Sequence, residues 1–160
     1  MPDYFIPRER DMLFRRIEQL SPEQRSRDGK INGHQLVGHF NNSLREICGL
    51  QPPSRHGNLA QRTLGKWLVF HLIPWPESPP KNSAELAEFV GSADLKSFAD
   101  DHADFVTLLQ AFERHCAQHS LAPHPLFGRL SQKEWGKYMF LHLDYHLTMF
   151  DIHGEFHARK

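Results

Sequence analysis

Apolar residues recur along this chain at intervals of three and four and nowhere alternate over a sustained run, so the pattern predicts helices and no strands. A first helix is predicted from about Pro7 to Leu20, where Leu13, Ile17 and Leu20 share one face. Ser21 and Pro22 end it with a cap and a short new turn, and the polar stretch from Arg25 to Ile31 reads as a loop. A second helix opens at Asn32, whose spacing from Gln35 fits a capping box, and runs on Leu36, Phe40, Leu44 and Ile47 to a stop at Gly49. The connector Q-P-P-S-R-H-G separates it from a third helix, about Leu59 to Ile73, with Leu64, Trp67, Leu68 and Leu72. Pro74 and Pro76 end that helix, and the irregular stretch to Ala93 has room for one helical turn after Ser83. A fourth helix, about Asp94 to Leu121, carries Phe98, Phe105, Leu109, Phe112 and Cys116. After A-P-H-P-L-F-G-R-L a fifth opens at Ser131 with Glu134 as its capping partner and runs to about Asp151, with Gly154 as its stop. Its stripe is Trp135, Met139, Leu143, Leu147 and Phe150. The expected architecture is all-α: one domain over residues 1–160, four long helices around one core and a shorter extra helix.

Composition narrows the function. Nineteen basic and nineteen acidic residues cancel, and the pI is near 7.2, which argues against nucleic acid or an anionic membrane as partner. An aromatic content of 11% argues against disorder, and two cysteines cannot make a disulfide framework. The opening M-P-D-Y-F-I-P-R-E-R lacks the apolar run of a signal peptide, and no stretch is apolar enough to span a membrane, so a soluble cytoplasmic protein is expected. No P-loop, G-x-G-x-x-G or G-x-S-x-G occurs. The unusual number is twelve histidines, a residue that binds metal when neutral.

Position separates these histidines. His142 and His146 are one helical turn apart beside the apolar stripe of the fifth helix, so their imidazoles can converge on one ion. His39, three residues after Leu36 and next to Phe40, leans toward the core and is the best third ligand. The competing reading is that these are satisfied core histidines; burying two of them without a shared partner is costly, which favours metal modestly. His115 with His119, and His153 with His157, repeat the spacing on faces read as partly or wholly solvated, while His71 and His102 fall on apolar stripes without a role. Cys48 lies at a helix C-terminus, where the dipole disfavours a thiolate, and Cys116 reads as core. Asp100, Asp101 and Asp104 read as a solvated acidic face, and Trp67, Trp75 and Trp135 as core packing. No obvious general base stands beside the three histidines; Asp144 is one candidate partner for a ligand histidine, although it points off the stripe.

The stretch from His124 to Phe150, H-P-L-F-G-R-L-S-Q-K-E-W-G-K-Y-M-F-L-H-L-D-Y-H-L-T-M-F, resembles a branch of the DinB-like superfamily. That branch holds short, mostly uncharacterised bacterial proteins with H-P-x-F-G-x-L-x-x-x-E-W-G leading into H-L-D-x-H-L. L-S-P-E-Q, G-K-I-N-G-H-Q-L-V-G-H and P-K-N-S are similar as well, so the resemblance covers most of the chain. Asp28 departs from it, standing where the family often has tryptophan before G-K. The resemblance implies an up-down-down-up four-helix bundle and a three-histidine metal site matching His39, His142 and His146, with His34 not a matching position. Such a site would take zinc, nickel or ferrous iron and leave coordination positions open. The implied function is a metal-dependent enzyme, a thiol-dependent transferase or hydrolase acting on a small molecule or a low-molecular-weight thiol. The alternative is a non-catalytic metal-binding or stress-response bundle. A homodimer through an exposed helix face stays open.

Overall fold

The computed structural model describes residues 2–53 and 94–154. These form four helices, here α1 (Pro7–Ile17), α2 (Gly33–Ile47), α3 (Phe98–Ala117) and α4 (Gln132–Thr148). Local chemistry sets their starts. Pro7 opens α1, where its missing N–H is no loss. On α2 the Gln35 N–H donates to Asn32 Oδ1 at 2.8 Å and the Asn32 N–H donates back to Gln35 Oε1 at 2.9 Å. Ser131 and Glu134 form the same reciprocal box on α4.

Among the described residues there is no strand, only isolated bridges at Arg25–Asn32 and His124–Gly128. Among the described residues the all-α reading therefore holds, with four helices. The predicted helix from Leu59 to Ile73, with Trp67 and His71, and the stretch to Ala93 lie outside the described residues.

Several helix ends differ from the expected ones. Helix α3 starts at Phe98 rather than Asp94, because the Ser97 hydroxyl accepts the Asp100 N–H and caps it. It stops at Ala117 rather than Leu121, and His119 turns the chain through φ 55°. Helix α1 stops at Ile17 rather than Leu20, and Pro22 begins the short turn expected there, where the Gln24 N–H donates to Ser21 O at 3.3 Å. Helix α4 stops at Thr148 and unwinds through Asp151, at φ 58°.

Contacts between helix ends give their directions. The Tyr4 N–H just before α1 donates to Gly136 O near the start of α4, and Arg16 near the end of α1 pairs with Asp144 near the end of α4, so α1 and α4 are parallel. His34 and Asp101 join the starts of α2 and α3, and the Ala122 N–H donates to Ile47 O past their ends, so these two are also parallel. Phe112, late in α3, meets Trp135 at the start of α4, so the two pairs run against each other. Among the described helices this is an up-down-down-up order.

The predicted stripes form the core. Leu13, Ile17, Leu36, Phe40, Leu44, Phe105, Leu109, Phe112, Trp135, Met139, Leu143 and Leu147 are all buried. Helix α2 enters close beneath the end of α1: a Cβ at Gly33 would run into the Ser21 backbone carbonyl oxygen. Gly33→Ala is expected to destabilise the fold by about 1–3 kcal/mol despite alanine's better helix propensity, because backbone must move. A thermal melt equal to or above wild type would contradict that close approach. At the loop before α2, Asp28 Oδ1 accepts from the Ser26 hydroxyl and the Lys30 N–H, and Gly29 takes φ 72°. Asp28 thus closes its own turn there.

Candidate metal centre

Helices α2 and α4 bring His39, His142 and His146 together. The capping box of α2 fixes the phase that puts Leu36, Phe40, Leu44 and His39 in the interior. The box of α4 does the same for Trp135, Met139, Leu143 and Leu147, and the two histidines stand one turn apart beside that stripe. The ring centroids are 5.3 Å apart for His39–His142 and 4.7 Å for His39–His146 and His142–His146. One nitrogen from each ring lies within 4.8 Å of the other two, a group that could hold a metal ion.

The surroundings are apolar. Phe40 packs 5.8 Å from both His142 and His146, and Tyr145 lies 5.2 Å from His146. His39 and His146 are buried; His142 keeps a partly exposed edge, although its Nε2 is buried. Burial is the first cause that holds His39 and His146 well below the ordinary histidine range, and the neighbouring imidazoles add to it. Burial alone pushes His142 down to about 4. All three rings are therefore neutral at pH 7, the state a divalent ion requires.

The donor set passes a further test of fit. His142 Nε2 and His146 Nδ1 are buried and make no hydrogen bond among the described residues. Buried polar atoms are normally satisfied, and an orphan costs about 1–3 kcal/mol. Two orphan imidazole nitrogens beside a third imidazole fit a shared cation. The remaining nitrogen of His142, Nδ1, is 3.3 Å from the Tyr138 hydroxyl.

Other histidines and acids fall elsewhere. Asp144 is buried against Arg16. Asp101 is 3% exposed, so the acidic face read as solvated is partly interior: its Oδ2 is 2.8 Å from His34 Nε2 and accepts the Lys96 N–H at 3.0 Å. His102 is half-buried between Phe98 and Phe105, His115 is half-buried, and His119 and His153 are exposed. Burial pushes the Cys48 and Cys116 thiols up to about 11, so neither is a ready nucleophile.

A family model described as a protein of unknown function (DUF1569) matches residues 8–152. The chain belongs to the DUF1569 family. This DUF1569 protein matches no curated protein and no solved structure. The matched span includes all three clustered histidines.

Three residues beside the DUF1569 cluster were not singled out from the sequence. Tyr138 stands four residues before His142 on α4, and that spacing alone was a usable signal. Glu46 is buried on α2, seven residues on from His39, and its charge adds to burial in pushing the Tyr138 hydroxyl up. His124, read as part of a loop and as the first residue of the H-P-x-F-G motif but given no role, is 5% exposed and packs against Tyr138 and Trp135. No helix among the described residues is long and apolar enough to cross a membrane.

Proposed function

We propose that this protein is a metal-dependent enzyme of the DinB-like superfamily, with His39, His142 and His146 holding one divalent ion. The observation that carries this is the gathering of three neutral imidazoles around a common point, two of them with a buried nitrogen that makes no hydrogen bond among the described residues. An all-imidazole set suits zinc, nickel or ferrous iron. His39, His142 and His146 would hold the ion with coordination positions left open, and it would supply Lewis-acid chemistry for a water or a thiol at neutral pH. The protein's own contribution is the apolar wall of Phe40 and Tyr145, which keeps the imidazoles neutral and limits water around them. The reaction this suits is a thiol-dependent group transfer or a hydrolysis on a small electrophile.

A second reading is a metal-binding bundle without catalysis. It is favoured by one observation: no carboxylate hydrogen-bonds to His142 or His146 among the described residues. Turnover of a panel of electrophiles, with and without low-molecular-weight thiols, separates the two.

Elemental analysis of protein purified without a histidine tag tests the site itself. Wild type is expected to carry about one ion per chain, and His142→Ala to lose most of it. Equal metal content in the two would sink the site.

A further inference from the structure

The H-P-L-F-G stretch contributes no member of the histidine cluster, yet it is built around a buried imidazole. His124 and Gly128 exchange both backbone hydrogen bonds, at 2.8 and 2.9 Å. Inside that closed loop the Leu126 and Phe127 N–H groups both donate to His124 Nδ1 at 3.2 Å. Nδ1 is therefore an acceptor, the proton sits on Nε2, and the ring cannot turn without breaking two bonds. Phe127 stacks on the ring at 4.8 Å, Tyr138 lies 4.4 Å away and edge-on, and Trp135 lies 5.7 Å away. Trp135 at 5.8 Å and Phe127 at 6.4 Å complete the enclosure of the Tyr138 ring. The tyrosine hydroxyl so fixed is the group at His142 Nδ1.

We propose that the His124–Gly128 loop and Tyr138 form a positioning unit for the metal ligand His142, in which the loop clamps the tyrosine ring and the tyrosine oxygen accepts the Nδ1 proton. The inference rests on the metal reading above. A histidine that ligates through Nε2 must carry its proton on Nδ1, and a fixed acceptor there holds both tautomer and ring plane. Among the described residues Tyr138 is the only group hydrogen-bonded to His142 Nδ1, and His142 Nε2 is left without a protein partner. His124 and Tyr138 touch no reacting atom in this scheme; they act through His142.

Two variants and two readouts test it. Tyr138→Phe keeps the ring and removes the oxygen; His124→Ala removes the loop's centre. Zinc affinity, measured by competition with a chromophoric chelator, is expected to fall about 10- to 100-fold in Tyr138→Phe. His124→Ala is expected to fall too, and the double variant to fall no further than the worse single one, since both act through one hydrogen bond. In the metal-free protein, imidazole ¹⁵N shifts should show His142 held with its proton on Nδ1, and Tyr138→Phe should move them toward a mixture of tautomers. Unchanged zinc affinity together with unchanged ¹⁵N shifts in a folded Tyr138→Phe protein overturns the inference and leaves the metal site standing. A wild type that takes up no zinc overturns the metal reading instead, and the ¹⁵N comparison alone then decides whether Tyr138 positions His142. Should His124→Ala fail to fold, the isosteric Tyr138→Phe still decides.

Discussion

Replacing Arg16 with alanine is expected to destabilise the bundle by about 3–5 kcal/mol, because it leaves a buried carboxylate without its guanidinium. Arg16 is 3% exposed and ties three parts of the chain together. Nη1 pairs with Asp144 on α4, Nε and Nη2 donate to Ile152 O at 3.1 and 2.6 Å, and Nη2 approaches Thr148 Oγ1 at 3.5 Å. A Cβ at Gly154 would lie 3.1 Å from Nη1, so the turn after α4 wraps closely around the same group. Lysine should rescue little, since one ammonium cannot serve Asp144 and the Ile152 carbonyl with a planar fork. The double change Arg16→Met with Asp144→Leu should recover much of the loss, because it removes both charges rather than stranding one. Urea unfolding of the three variants reads this directly. If Arg16→Ala lost less than about 1 kcal/mol, the pair would be no stronger than an exposed ion pair.

The same pair shows where sequence reading runs out. The starts of α2 and α4 were legible, because a capping box is a short local pattern and Asn32–Gln35 and Ser131–Glu134 are both realised, whereas the Ser97 cap of α3 was missed. Apolar stripes were legible for the same local reason, and Leu36, Phe40, Phe112, Met139 and Leu143 are all interior. The convergence of His39 with His142 and His146 needed no more than the phase of two helices plus a family resemblance. Buried charge is another matter. Arg16 and Asp144 are 128 positions apart, and nothing near either distinguishes it from a solvated side chain. Asp101 likewise reads as one of three acids on a wet face until His34 and Lys96 are seen to close over it. His124 sits between prolines in a segment whose composition says loop. Only the bridge to Gly128 and the packing on Tyr138 make it interior.

The largest expected effect is that of acid on the metal-free protein. His39, His142, His146 and His124 all have folded-state pKa values below the ordinary value, His142 near 4 and His124 near 3, with burial as the first cause in each. Unfolded, each titrates near pH 6.5. Between the unfolded and folded values the unfolded chain therefore binds more protons, and stability rises with pH. The stability associated with neutral imidazoles is complete above about pH 6.5 and declines as pH falls toward the folded values. For His142 the window runs from about 6.5 to about 4, which at about 1.4 kcal/mol per unit amounts to roughly 3 kcal/mol. Four such groups together give a slope approaching 5 kcal/mol per pH unit, against a total stability of about 5–15 kcal/mol for a domain. Urea unfolding at stepped pH should show stability roughly level above about pH 7.5, falling steeply below about pH 6, and loss of the fold within about two units of 6.5. A flat profile from pH 7.5 to 5 would contradict buried neutral histidines. Metal uptake supplies an independent check on the same chemistry. Because the folded rings are already deprotonated, zinc binding to the native protein near pH 6.5 should release almost no protons from them. A surface site of three histidines, each about half protonated there, would release about one and a half. Calorimetry of zinc binding in two buffers of different ionisation enthalpy distinguishes these outcomes, and a release above about one proton would place the imidazoles in water rather than in the core.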